Sequence, residues 1–364
     1  MRAENEMRRY APTSLLVSAV VRLAVDARDL ASDTRGIGRY MRAILRRLVK
    51  REDLDVTLLV FAPFAFRRRK ALREALGSDR FDIATQPKCA EVVWHPANGT
   101  FFASRARSVA TIHDAVPFRF PVPDRGLRAR QQTPFLRSVR EAKRIIAVSE
   151  FDRSEIEEIF GVPTDRIEVI YHGVEPFFGP GAPEQNLPPP LRARPYFLFV
   201  GDPEAEPRKN FALLQEAYRD AFPETERPAL VVVGAARSIE GVFSAGISRS
   251  DAAGQGDAFL RDLYRGALAL CMPSYYETFG MPMIEAMACG TPVVASQASC
   301  LPEIGSDAAL FAPPNDASAW STVLRRIAND EPLRARLSRA AVNRAGLFDW
   351  DESARRHAEI FARQ

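Results

Sequence analysis

Two doubly wound α/β domains joined by a proline-rich hinge are predicted by three observations. Short apolar runs alternate with amphipathic helical patterns in both halves of the chain, the signature of parallel sheets covered by helices on both faces. Seven prolines (Pro176, Pro180, Pro183, Pro188, Pro189, Pro190 and Pro195) crowd into 175–195, where neither a helix nor a central strand is expected. The 364-residue length suits two full cores better than one.

In the first half, strands are expected near 22–27, 54–62, 108–113, 144–149 and 167–172. A helix from Ile37 to about Arg51 fits between the first two, because Ile37, Met41, Ile44, Leu45 and Leu48 share one face. In the second half, Tyr196 to Val200 reads as a buried strand ending at Gly201. Asn210 reads as the N-cap of a helix from Phe211 to Phe222, with Phe211, Leu214, Tyr218 and Phe222 inward. Strands follow near 229–233, 267–272, 291–295 and 308–312, and three helices occupy Ala317 to the end. The expected divisions are an extension (1–21), a first domain (22–178), a linker (179–195) and a second domain (196–349). Ligands of such folds bind beyond the C-terminal strand ends, here in the interdomain cleft.

Cys89, Cys271, Cys289 and Cys300 form no CxxC pair, and the chain has four histidines. Reduced thiols in a cytoplasmic protein are expected, not a zinc site. Residues 1–190 hold 31 Lys+Arg against 24 Asp+Glu, and the remainder 19 against 22. A basic first half suits an anionic partner such as a membrane surface or a lipid-linked phosphate. The patch Arg67-Arg68-Arg69-Lys70, beside Phe64 and Phe66 on a helix through Leu76, is either a solvated face or an interfacial contact at the inner membrane surface. No nucleic-acid motif accompanies the charge. No run approaches the ~20 apolar residues of a membrane span, and Leu15 to Val21 is short for a signal peptide.

The most informative segment is bracketed by Glu277 and Glu285. A helix is expected to start at Pro282 and close at Gly290. Between the carboxylates lies a row of backbone N–H groups suited to phosphate, while the carboxylates suit hydroxyl groups. A nucleotide-sugar has that distribution of groups. In Arg35-Gly-Ile-Gly-Arg39, Gly36 and Gly38 allow close ligand approach or make a plain turn, and the GxGxxG spacing of a dinucleotide site is missing. His95, His113 and His172 fall at or just past strand ends, with Asp114 following His113. Such a pair can bond sugar hydroxyls or handle a proton. Lysine is scarce, 5 against 45 arginines, so Lys209 beside Arg208 in a strand-end loop points to a diphosphate. The DxD spacings at Asp53/Asp55 and Asp349/Asp351 lie away from that loop, so no divalent metal is expected.

These motifs together resemble the retaining glycosyltransferases of family 4, with the GT-B architecture of two Rossmann-like domains. The resemblance runs from about Arg22 to the end. It rests on the RGIGR loop, Thr111-Ile-His-Asp114, Val169-Ile-Tyr-His-Gly-Val174, Pro207-Arg-Lys-Asn210, Glu277-Thr-Phe-Gly-Met-Pro282 and Glu285-Ala-Met-Ala-Cys-Gly-Thr-Pro-Val-Val-Ala295. It implies that Glu277 contacts the donor hexose and Glu285 the ribose. Phe279, Gly280 and Met281 would offer amides to the sugar and diphosphate, Lys209 and Arg208 would hold the diphosphate, and Gly38 would lie near the phosphates. His113 would lie near the reaction centre, and Asp114, His95 and His172 on the acceptor side. It also implies a C-terminal helix (350–364) crossing back onto the first domain. The overall likeness is to bacterial polysaccharide and O-antigen mannosyltransferases, with GDP-mannose favoured and a UDP-sugar as the other option. The acceptor would be a glycan or a lipid-diphosphate-linked sugar.

Three departures stand out: Arg35 where a glycine is frequent, Asp202 where many relatives have arginine, and a long segment from Ala235 to Asp257. Other readings of the same residues are a catalytically silent nucleotide-sugar-binding protein and a phosphorylase or epimerase of the same fold.

Overall fold

The computed structural model describes residues 20–33, 36–61, 68–183, 187, 189–192, 194–225, 227–234, 243–245 and 255–363. The first sheet contains β1 (Val21–Asp26), β2 (Leu54–Leu59), β3 (Asp82–Ala84), β4 (Val92–His95), β5 (Arg107–Ile112), β6 (Arg144–Ala147) and β7 (Ile167–Val169). Its order is β3-β2-β1-β4-β5-β6-β7, all parallel. The second contains β8 (Tyr196–Val200), β9 (Ala229–Val233), β10 (Phe243–Ala245), β11 (Ala269–Met272), β12 (Val293–Ser296) and β13 (Ala309–Ala312). Its order is β10-β9-β8-β11-β12-β13, again all parallel. The chain is a doubly wound α/β protein in both halves, as its alternating pattern predicts.

Ten helices carry the packing discussed below: α1 (Gly36–Leu48), α2 (Arg69–Leu76), α3 (Arg125–Glu141), α4 (Glu150–Phe160), α5 (Phe211–Ala221), α6 (Gln255–Gly266), α7 (Met281–Ala288), α8 (Ala317–Asn329), α9 (Glu331–Ala345) and α10 (Trp350–Ala362). The inward face predicted for α1 is largely the observed one, with Met41, Ile44, Leu45 and Leu48 buried. β3, β4 and β10, absent from the expected strands, have three or four residues each. Runs that short give little periodic signal.

Two local expectations are corrected. Asn210 precedes α5 but makes no side-chain cap. It sits in the left-handed region (φ 57°) and its amide donates to the carbonyls of Pro273 and Pro314. Asn tolerates that conformation, so the residue ties three loops together. Within the linker, Pro189–Arg192 forms one helical turn, which proline permits at a helix start. Leu187 and Leu191 are buried in the second domain's core, so this part of the connection is packed.

α10 packs on α1 of the first domain. Trp350 and Phe361 are buried there, and Arg107 donates to the Phe361 carbonyl. A second junction lies at the start of α4. Ser149 caps it locally and also donates to the Thr278 carbonyl. The Glu303 carboxylate, from the second domain, accepts the Glu150 and Phe151 amides at 2.8 and 3.0 Å. Residues 1–19, Arg35, Phe64, Phe66, Arg67 and most of 235–254 lie outside the described residues, so the expected extension, part of the basic patch and most of the departure segment do too.

Candidate functional site

The strand ends of the two sheets face each other across a cavity of about 700 Å3. The first domain lines it with Gly36, Ile37, His113, Asp114 and His172. The second contributes Gly201, Asp202, Glu206, Lys209, Gly234 and the run Glu277 to Pro282. The volume lies in the usual range for small-molecule sites.

Glu277 is the centre of the polar lining. Its Oε1 receives Lys209 Nζ at 3.0 Å and the Ser274 hydroxyl at 3.1 Å, with Arg208 Nη1 3.4 Å away. Its amide donates to Ser299 Oγ. Burial alone would raise the carboxyl, but the charges of Lys209 and Arg208 and the two hydrogen bonds outweigh it and hold Glu277 below the usual carboxylate range. Oε2 has no partner among the described residues, so the second oxygen is available to a hydroxyl donor.

Lys209 reaches Glu277 by passing over the end of β8. A Cβ at Gly201 would stand 2.3 Å from Lys209 Cδ. The strand-ending glycine is therefore a steric requirement of the cation. Arg208 is also bound by Glu206 Oε1 at 2.7 Å.

Between the predicted glutamates, α7 starts after Gly280 (φ 80°) with Pro282 in its first turn. The amides of Phe279, Gly280 and Met281 meet no acceptor among the described residues. An unfilled helix start beside two cations suits an anion. The Phe279 ring lies 4.6 Å from His172 and 5.7 Å from Phe348.

His113 Nε2 lies 2.7 Å from the Pro96 carbonyl. The nitrogen facing an acceptor carries the proton, which leaves Nδ1 as an acceptor. Burial lowers its pKa, against smaller opposing effects of Pro96 and Asp114. Burial, then His113 and His357, push His172 well below its ordinary value. Both rings are therefore neutral near pH 7. Asp114 is fixed by the Val116 amide (3.0 Å) and by Asn98 Nδ2 (3.1 Å).

The structure assembles Glu277, Lys209, His113, Asp114, His172, Gly36 and Phe279 to Met281 around one cavity, with Arg208 touching Glu277. It does not bring in three other predicted residues. Glu285 is fully buried. Its Oε1 lies 2.9 Å from Arg39 Nη1 of α1, and its Oε2 accepts the Tyr264 hydroxyl at 3.0 Å. Its place in the helix turns it into the protein rather than the cavity. Gly38 also lies off the cavity, and a Cβ there would strike the Asp33 carbonyl at 1.9 Å, so its smallness serves packing. His95 is 1% exposed and sits behind Phe102, 4.9 Å between ring centroids. Burial, then Arg28, lowers its pKa to about 4.

Several residues were not predicted. Ser274, three before Glu277, and Asn98, in a turn-like Pro-Ala-Asn-Gly run, carried weak local signals. Thr111 stood in the quoted Thr111-Ile-His-Asp114 motif without a role, and Tyr40 and His357 carried no signal. Trp94 donates to Thr111 Oγ1 at 3.0 Å, and Tyr40 Oη joins Thr111 (3.0 Å) to His357 Nε2 (2.6 Å). The Tyr40 ring lies edge-on to His113, 4.6 Å between centroids.

A facing pair of parallel sheets with cations, a carboxylate and an open helix start between them is the frame of a two-domain α/β protein with its site in the cleft, and comparison with known proteins gives the class: glycosyltransferases. A model of group 1 glycosyl transferases matches residues 188–344, and one of glycosyltransferase family 4 matches residues 58–176. The chain belongs to these glycosyltransferases, and its fold is GT-B. The O-antigen chain mannosyltransferase B of Escherichia coli is 32% identical to it over 87% of this chain and 93% of that protein. Sucrose-phosphate synthase from Thermosynechococcus elongatus superimposes with a TM-score of 0.68 at 20% identity, covering 94% of this chain and 98% of that one. Anabaena HepE in complex with UDP-glucose gives 0.67 at 19% identity, covering 94% and 99%.

Proposed function

We propose that the chain transfers a hexose, mannose favoured, from a GDP- or UDP-sugar to a hydroxyl of a glycan or lipid-linked acceptor. Transfer proceeds with retention and without a divalent metal. The observation that carries this reading is Glu277, held ionised by Lys209 and Arg208 beside an open helix start. The Escherichia coli relative's name supports the hexose, and the UDP-glucose complex of HepE supports the donor class.

In this reading, Glu277 Oε2 accepts donor-sugar hydroxyls. Lys209, Arg208 and the Phe279, Gly280 and Met281 amides neutralise the diphosphate as charge builds on it. His113 accepts a sugar hydroxyl through Nδ1. The bond from the anomeric carbon to the diphosphate breaks as the acceptor oxygen bonds to that carbon on the same face. The acceptor proton passes to the departing phosphate oxygen. Arg68, Arg69 and Lys70 are exposed on the first domain and suit contact with an anionic membrane at its inner face. Among the described residues, no helix is long and apolar enough to cross a membrane.

Thermal-shift measurements with GDP-mannose, UDP-glucose, UDP-GlcNAc and dTDP-rhamnose should show stabilisation by a nucleotide-sugar, and slow donor hydrolysis should release its nucleoside diphosphate. Turnover should persist in EDTA. Absence of any shift or hydrolysis with all four would overturn the assignment.

A further inference from the structure

Glu277 and His113 line opposite walls of the cavity, on loops that follow β11 and β5. Tyr276, the residue before Glu277, joins the two walls from outside the cavity. Its side chain is 7% exposed and packs against Phe120 and Phe151 of the first domain, edge-on to each, with centroids 5.5 and 5.8 Å away. Its hydroxyl oxygen accepts the Ala115 amide at 3.2 Å, across 161 positions of sequence. Its carbonyl accepts Arg208 Nη1 at 3.3 Å. Burial raises its pKa, against the Ala115 amide, so the side chain is a neutral phenol.

The loop that Tyr276 holds is the one that carries His113 and Asp114. The neighbouring amides there are satisfied within the first domain: that of His113 by Asn98 Oδ1 at 2.5 Å and that of Val116 by Asp114 Oδ1 at 3.0 Å. Ala115 is fully buried, so its amide requires a partner, and the partner comes from the second domain. The other two junction bonds, from Ser149 to Thr278 and from the α4 start to Glu303, do not touch this loop. One hydroxyl thus ties the segment of Glu277 to the loop of His113.

We propose that Tyr276 is a positioning residue for transfer: its hydroxyl fixes the His113 loop relative to Glu277, so that a sugar held by Glu277 is aligned with Nδ1 of His113. The inference rests on the transferase reading above and adds a residue that touches neither donor nor acceptor. Lys209, Arg208 and the Phe279 to Met281 amides, the groups given to the diphosphate, all belong to the second domain. Loosening the Tyr276–Ala115 bond therefore costs alignment across the cleft and leaves donor binding in place.

The test uses the full chain and whichever of GDP-mannose, UDP-glucose, UDP-GlcNAc and dTDP-rhamnose it hydrolyses fastest. Tyr276→Phe removes the hydroxyl and keeps the ring. Its kcat for donor hydrolysis should fall about tenfold. The donor KM, and the Kd of the matching nucleoside diphosphate by calorimetry, should stay within about twofold of the unaltered protein's. In a His113→Ala background, followed with enzyme in excess of donor, the same substitution should lower the rate by about twofold at most. Thermal melts confirm that the variants fold. A residue that served stability alone would act at full size in either background. An unchanged kcat in Tyr276→Phe, a loss confined to donor KM, or an undiminished loss on top of His113→Ala would overturn the inference. Hydrolysis that Tyr276→Phe leaves intact removes this inference alone, whereas hydrolysis of none of the four donors by the unaltered protein removes the transferase reading and this inference with it.

Discussion

Two helix starts lie at the domain junction and differ in one respect. At α4, Ser149 accepts the Asp152 amide and the Glu303 carboxylate accepts those of Glu150 and Phe151. At α7, Gly280 and Pro282 provide no side-chain cap, and the amides of Phe279 to Met281, which line the cavity, have no acceptor among the described residues. Helix starts carry partial positive charge and unsatisfied donors. A start filled by a carboxylate of the other domain acts as a clasp. An unfilled one flanked by Lys209 and Arg208 suits an anion from outside the protein, as the proposed function requires.

The largest effect should come from the cation beside the open start. Lys209→Ala or Glu277→Ala should lower turnover by roughly a thousandfold. Circular dichroism should show a folded chain, and full activity in either variant would sink the roles given to the pair. Next, Gly280→Asp would give α7 the carboxylate that α4 already has. It should bind nucleoside diphosphate about tenfold more weakly than Gly280→Asn, which carries the same backbone strain without the charge. Equal affinity of the two would mean that the start does not meet phosphate. Gly201→Ala should push Lys209 off Glu277 and lower turnover by about tenfold, read from steady-state rates. Opening the filled start with Glu303→Ala should cost about 1 kcal/mol of stability, measured by denaturant unfolding. It should raise the donor KM severalfold while changing kcat little.

Acid should act on buried histidines rather than on either helix start. His95 and His357 each have folded pKa values of about 4, chiefly from burial, against about 6.5 when unfolded. The unfolded chain then binds more protons between those values. Stability is full above pH 6.5 and falls toward pH 4, by up to ~3 kcal/mol per histidine. Urea midpoints across that range should fall with acid, and fall less steeply in His357→Gln.

Much of this was legible in the sequence, for physical reasons that also set its limits. Alternating apolar runs revealed both sheets, because strands buried on two faces are apolar throughout. Glu277 and Lys209 were legible because a carboxylate before a proline-started helix, and a lysine in an arginine-rich chain, are locally unusual. Glu285 shows the limit. Its helix was anticipated, but the rotation that buries its carboxylate against Arg39 and Tyr264 depends on packing between domains. His95 misled because a strand end facing the cleft can still lie behind a ring, here Phe102. The partners of Glu303 are out of reach of local patterns, being about 150 residues away in the chain.

The Tyr40–His357 hydrogen bond joins residues 317 positions apart, and the ring it steadies lies against His113. During synthesis, Tyr40 leaves the ribosome long before its partner is translated. Until α10 arrives, the first domain carries a phenol bonded through Thr111 alone, beside a histidine that lines the cavity. The first half of this enzyme is thus made early but finished last. A message truncated before codon 350 would yield both sheets and all the residues lining the larger cavity, yet leave its first-domain wall without its backing.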